Sequence, residues 1–155
     1  MFKLLLPLAL AFISGISMAV QGSLNSVLGK IAGLFQATLV VHVIASLAVA
    51  VILLLQPVLQ PAAKGSLAHL PRAPWYVYLG GLLAVLITYA VVTAIPRVGV
   101  APATTAIIVG QVGAAALIDH FGLFGLQKIP FNLLKLAGVA LLAAGAWLLL
   151  NQTRA

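Results

Sequence analysis

The side chains of this chain that could do chemistry are few, and most of them lie within long apolar stretches. Asp119 is the only acidic residue, and His120 follows it directly. Gln111 lies upstream in the same stretch, and Gln21 and Asn25 are spaced four apart in another. Carboxylate and imidazole groups can exchange protons, whereas amides can hydrogen-bond a solute. This inventory favours binding or gating over catalysis.

The composition requires lipid around these stretches. Hydrophobic residues make up 64 % and charged residues 6 % of the 155, whereas a soluble domain carries about 25 % charged residues. The net charge of +7 comes from scattered cations, which argues against nucleic acid because its binding proteins cluster theirs. No cysteine is present, which excludes disulfides. We expect a multi-pass protein of the cytoplasmic (inner) membrane, with the lipid bilayer as a partner.

The sequence contains none of the residue patterns that commonly form an enzyme's active site. The three histidines, His42, His69 and His120, lie on separate segments, so they form no metal-ligand pattern. The glycines are scattered through apolar helices rather than gathered in a phosphate-binding loop. One carboxylate without a nearby serine gives no nucleophile–base–acid set. We expect no enzymatic activity, no metal and no cofactor.

Five apolar segments predict an all-α membrane protein with a single transmembrane domain, 1–155. The expected helices cover about 4–28, 34–55, 75–95, 101–119 and 131–150, with a polar, proline-rich loop at 56–74. A short connection around Gly29 and Lys30 makes the first two helices antiparallel neighbours. A cleaved signal peptide is the alternative for the first segment, but its helical period continues past Ala19, which favours an uncleaved helix.

The first helix carries two parallel lines of residues. Ser14, Ser17, Gln21 and Asn25 recur at spacings of three and four, so they share one face. We interpret this face, together with Gln111, as solute or pathway contacts. Hydrogen bonding to a neighbouring helix is the alternative. A second line of small residues, repeated on the fifth helix, predicts close helix packing: Gly15, Ala19, Gly22, Gly138 and Gly145.

Asp119 and His120 lie at the end of the fourth helix, where a carboxylate opposes the negative end of the helix dipole. They are interpreted either as gating or coupling residues, or as a structural pair in which Asp119 contacts Lys128, Lys135 or His120. The same choice arises for His42 on the second helix. There a hydrogen-bonded structural role is favoured over proton transfer.

The cations are distributed almost evenly over the two sides that five helices define. The N-terminal side holds five and the other side three, a weak positive-inside bias that permits single or dual topology: Lys3, Lys64, Arg72, Lys128 and Lys135 against Lys30, Arg97 and Arg154. The chain is also short for a transporter. We therefore expect a dimer, formed with a second copy or with a homologous half.

Six features recur in order along nearly the whole chain. They are Gln21-x-x-x-Asn25, Gly80-Gly81, PRVG at 96–99, VGQ at 109–111, LIDHFGLFG at 117–125 and a fifth helix rich in small residues. Together they resemble the YdcZ-type proteins, which are half-length, roughly five-helix members of the drug/metabolite transporter superfamily. The IDHFG block is the most specific part. The segment from His42 to Ser46 departs from the apolar, glycine-containing run expected in helix two.

The resemblance implies a secondary transporter of small molecules that works as a dimer, expected to be antiparallel, with a substrate site near the membrane midplane. The related small multidrug resistance proteins use a glutamate in helix one. This chain lacks it, so their proton-coupled cation mechanism is not carried over. Amides and hydroxyls suit a neutral, anionic or zwitterionic solute. The alternative is a non-transporting membrane subunit that pairs with or regulates another membrane protein.

Overall fold

A computed structural model describes residues 2–59 and 67–152 as an all-α protein, with no strand in these ranges. Three short 3-10 helices lie at Leu67–Arg72, Trp75–Tyr78 and Leu123–Gly125. Lys64, Arg154 and part of the expected 56–74 loop lie outside the described residues. The α-helices follow in chain order: α1 (Phe2–Ala32), α2 (Leu34–Leu59), α3 (Leu79–Val98), α4 (Val100–Phe121) and α5 (Leu133–Gln152).

Four helical segments are long and apolar enough to cross a membrane. They are Leu5–Ala32, Leu34–Gln56, Trp75–Val98 and Val100–Phe121, with 28, 23, 24 and 22 residues. A bilayer needs about 20 residues at 1.5 Å each. The fifth, Leu133–Leu149, is a shorter apolar helix. A chain with this many spanning segments is a multi-pass membrane protein.

A single glycine joins α1 to α2, and another joins α3 to α4. Gly33 and Gly99 have φ angles of 94° and 89°, which side chains with a Cβ rarely adopt. The Gly33 N–H donates to the Gly29 carbonyl at 3.0 Å, and its own carbonyl accepts the Ala37 N–H at 2.9 Å. Gly99 makes the same two bonds, at 2.9 and 3.3 Å. α1 therefore continues through Gly29 and Lys30. The prediction of a connection at these two residues is wrong, because the turn is at Gly33.

The chain divides into two compact units. The first comprises Met1–Val20 with Ala94–Ala155, and the second comprises Gln21–Thr93. In the first unit α4 packs along α5, and the buried apolar residues include Ala103, Ala116 and Ala146. Alanines at buried positions let helix backbones approach closely, which drives helix association in lipid.

Among the described residues of the second unit, an aromatic pair and a very close contact join neighbouring helices. The rings of Phe35 on α2 and Tyr89 on α3 lie 6.0 Å apart. Between α1 and α3, Gly29 faces Val92 so closely that a Cβ added to the glycine would overlap the valine Cγ1. Val92 is buried. Gly29 is therefore a packing residue, because only a hydrogen fits between the helices there.

We expect Gly29→Ala to destabilise the protein by about 1–3 kcal/mol, the usual cost of overpacking a close contact. Unfolding of the purified protein in mixed detergent micelles would measure it. Gly81→Ala is the matched control, since a Cβ at Gly81 meets nothing within 4 Å. Val92→Ala should restore most of the loss in the double variant. Equal stability of Gly29→Ala and Gly81→Ala would show that the two helices do not approach as described.

Candidate functional site

The polar line of α1 extends along one face of a continuous helix. Ser14, Ser17 and Gln21 are exposed, whereas Asn25 is buried, with 8 % of its surface accessible. From the first to the last of these residues the helix rises about 16 Å, half of a bilayer's hydrocarbon thickness. The Ser17 hydroxyl donates to the Ile13 carbonyl at 2.9 Å. Of these side chains, Gln21 therefore combines exposure with an amide, which both donates and accepts.

In the second unit, polar residues on α2 are anchored to their own helix. The Thr38 hydroxyl is buried and donates to the Leu34 carbonyl at 2.9 Å. Nδ1 of His42 lies 2.7 Å from the Thr38 carbonyl oxygen. A carbonyl only accepts, so Nδ1 carries the hydrogen and Nε2 keeps its lone pair when the ring is neutral. The sequence pointed to a hydrogen-bonded His42, and the structure identifies its partner.

Gln111 lies in the first unit, near the middle of α4, and is exposed. A Cβ added at the neighbouring Gly110 or at Gly113 would meet nothing within 4 Å. Gln111 thus sits on an open stretch near the middle of the Val100–Phe121 segment. Ser14 and Ser17 belong to this unit as well, whereas Gln21 and Asn25 belong to the other.

The backbone of Asp119 holds the start of the segment that leads from α4 to α5. Its carbonyl accepts the Gly122 N–H at 3.3 Å and the Ile129 N–H at 2.8 Å. Gly122 ends α4 in the left-handed region, at φ 62°. A Cβ there would lie 3.2 Å from the Leu126 carbonyl oxygen and 3.3 Å from Cβ of Lys128. Glycine is thus required by both conformation and space, and residues 122–132, here called the α4–α5 loop, fold back against the helix end.

His120 fastens the far end of the same loop. Its Nδ1 accepts the N–H of Phe131 at 3.0 Å. The half-buried ring also packs edge-on against Phe121, with centroids 4.8 Å apart. Because Nδ1 accepts, the hydrogen of the neutral ring must be on Nε2, the opposite tautomer to His42. This role was not visible in the sequence, because Phe131 lies eleven residues away and only the course of the loop brings it back.

Asn132 immediately precedes α5, and Lys135 lies in the first turn of that helix. The Asn132 side-chain oxygen accepts the Lys135 N–H at 2.9 Å, and its carbonyl accepts the Leu136 N–H at 3.1 Å. This arrangement is an N-cap. The Lys135 ammonium nitrogen is buried, and none of the described residues hydrogen-bonds it. In the described part of the chain, an Asp119–Lys135 pair is therefore not formed.

An open groove of about 630 Å³ lies at the start of α5. The predicted solute-contacting residues do not line it. Its lining is formed by Phe131, Asn132, Leu133, Leu134 and Leu136. The described residues also contain no group of three or more His, Asp or Glu side chains that could hold a metal ion. The side chains of these helices can therefore hydrogen-bond a ligand through amide, hydroxyl and imidazole groups.

Comparison with known proteins decides the family. A family model described as "Putative inner membrane exporter, YdcZ" matches residues 6–148. The chain belongs to the YdcZ family. No curated protein and no solved structure matches it. As a YdcZ-family member with several helices long and apolar enough to span a membrane, the chain is a multi-pass inner membrane protein, and its family is described as one of exporters rather than of enzymes.

The small residues predicted to pack helices in this YdcZ-family chain differ in their surroundings. Gly22 is buried and Ala19 half-buried on α1. A Cβ added at Gly15, Gly138 or Gly145 would meet nothing within 4 Å. In the single chain these three positions are therefore open to lipid or to another chain. Their role in packing stays a prediction.

Removing the cap of α5 should destabilise the YdcZ-family chain locally. We expect Asn132→Ala to cost about 1 kcal/mol, because the Lys135 N–H loses its acceptor. Asn132→Asp keeps a side-chain oxygen and should retain most of the stability. The free energy of unfolding in mixed micelles measures both. The capping account fails if the alanine variant is as stable as the aspartate variant.

Proposed function

We propose that this YdcZ-family chain is a secondary transporter of small molecules that works as a dimer with a substrate site near the membrane midplane. The match to an exporter family over residues 6–148 carries the proposal. Its supporting feature is the presence of amide side chains within spans that otherwise consist of apolar residues. Polar groups at membrane depth are costly and mark substrate pathways.

In this proposal α5 crosses the membrane as the fifth helix. The apolar stretch Leu133–Leu149 measures about 25 Å at 1.5 Å per residue, which a slightly thinned bilayer accommodates. Five crossings place the two termini on opposite sides. Two oppositely oriented copies would then supply inverted halves, the arrangement that transporters use to alternate access around a central site. The open faces at Gly138 and Gly145 suit packing of α5 against the second copy.

Within each copy, the solute pathway is assigned to the polar face of α1 and to Gln111 of α4. Gln21 is exposed and lies well inside the Leu5–Ala32 span. Ser14, Ser17 and Asn25 continue the same face. Amides and hydroxyls carry no charge, so this lining suits neutral, zwitterionic or anionic solutes better than cations. Asp119 and His120, at the end of α4, are assigned to gating or coupling.

Uptake by vesicles that contain only this protein tests the proposal. Cationic, anionic and zwitterionic solutes would be compared at two pH values. We expect Gln21→Leu to lower the uptake of a transported solute about tenfold, the effect of losing one good hydrogen bond to it. Val20→Leu introduces the same side chain at an exposed neighbouring position and should transport normally.

Three results would contradict the proposal. Absence of uptake for all three solute classes by a verified dimer would favour a non-transporting subunit that needs another membrane protein. Equal loss of uptake in Gln21→Leu and Val20→Leu would remove Gln21 from the pathway. A monomer in the membrane, active or not, would contradict the dimeric arrangement.

A further inference from the structure

His42 on α2 and His120 on α4 respond to protonation in opposite ways, because their Nδ1 atoms have opposite roles in hydrogen bonding. Nδ1 of His42 donates to the Thr38 carbonyl, so a second proton goes to Nε2 and leaves that bond in place. Nδ1 of His120 accepts the Phe131 N–H. A proton on this atom removes the lone pair and turns it into a second donor, so protonation and this hydrogen bond exclude each other.

The bond from Phe131 to His120 closes a loop whose backbone is not relaxed. Gly122 and Gly125 have φ angles of 62° and 78°, and Phe124, which carries a Cβ, has φ 60°. A non-glycine residue in this region is strained. The loop is held at several points: Gly122 and Ile129 donate to the Asp119 carbonyl, Leu126 donates to the Leu123 carbonyl, and Phe131 donates to Nδ1 of His120. Among these acceptors, the imidazole nitrogen is the one that can bind a proton in place of the N–H.

We propose that neutral His120 is a pH-sensitive latch that holds the α4–α5 loop against the end of α4. The latch is closed while the ring is neutral. When the ring gains its second proton, the Phe131 N–H loses its acceptor, and the loop opens away from the helix. The latch is a property of the loop and does not depend on the proposed transport activity.

Other charged groups lie on the elements that pack against His120. Asp119 precedes it on α4, Lys128 lies in the loop and Lys135 lies in the first turn of α5, while the 3-10 helix Leu123–Gly125 carries no titratable side chain. The ammonium of Lys135 is buried without a hydrogen-bond partner in the described residues. Protonation gives the ring one positive charge, of the same sign as the two lysines and opposite in sign to an ionised Asp119.

The mobility of a nitroxide label in the loop tests the latch directly, because the label itself does not titrate between pH 8 and pH 5. The chain has no cysteine, so Leu126→Cys, at an exposed loop position, gives one labelling site. In lipid nanodiscs at pH 8 we expect an immobile label. At pH 5 the ratio of mobile to immobile label should rise about fivefold, which corresponds to the loss of one typical hydrogen bond.

Three variants of the labelled protein separate the latch from general effects of pH. His120→Asn retains an acceptor near the position of Nδ1 and cannot titrate, so its loop should stay closed at both pH values. His120→Ala lacks the acceptor and should be open at both. His42→Asn removes the other histidine and should keep the full response to pH.

The proposal is overturned if the wild-type label is equally immobile at pH 8 and pH 5, or if His120→Asn still responds to pH. A response that disappears in His42→Asn would also overturn it and assign the sensor to α2. His120→Asn keeps the hydrogen bond to the Phe131 N–H. The test therefore remains valid even if the loss of this bond prevents His120→Ala from folding. No solute flux enters the measurement, so failure of the latch and failure of the transporter proposal are distinguishable.

Discussion

Lipid offers no hydrogen bonds, and this constraint governs every polar side chain in the described helices. Five hydroxyl groups satisfy it by donating to the carbonyl four residues earlier, within their own helix: Ser17, Thr38, Thr88, Thr93 and Thr105. Such bonds occupy the donor that lipid cannot satisfy. Amides cannot be satisfied so simply, because they present two donors and an acceptor. Gln21 and Gln111, exposed on their helices, are therefore the side chains with capacity for an external partner.

The same constraint explains how the chain leaves one helix and enters the next. At Gly33 and Gly99 one residue of positive φ keeps a helical hydrogen bond on each side. The longer α4–α5 loop cannot do this. Its amides instead use the Asp119 carbonyl and the His120 ring. The most distinctive sequence block of the chain is thus the segment where the Asp119 carbonyl and the His120 ring accept the N–H groups of the loop, which gives Asp119-His120 a structural role alongside any role in gating.

The apolar stretches predicted the all-α membrane fold correctly, because the length and hydropathy of a segment can be read from consecutive residues. Gly29 shows where local reasoning ends: a glycine beside a lysine resembles a turn, yet here it allows close approach to Val92, a residue distant in sequence. His120 shows the same limit, since its tautomer depends on Phe131 across the loop. The spacing of Gln21 and Asn25 predicts that they share one face of a helix. The position of Gln111 within its apolar stretch predicts a place near the middle of the membrane. Contact with a solute also depends on where water and a second chain lie. The spacing of residues in one sequence does not determine these positions.

The measurement that tests the central claim most directly is the access of water to the polar face of α1. Single cysteines in the otherwise cysteine-free chain would replace Ser14, Ser17 and Gln21, and, on the remaining surface of the helix, Ile13, Ile16 and Val20. A membrane-impermeant thiol reagent would then be applied to the protein in vesicles. The account predicts reaction at the first three positions and protection of the apolar three by lipid. Equal protection of all six positions would contradict a solute pathway along α1.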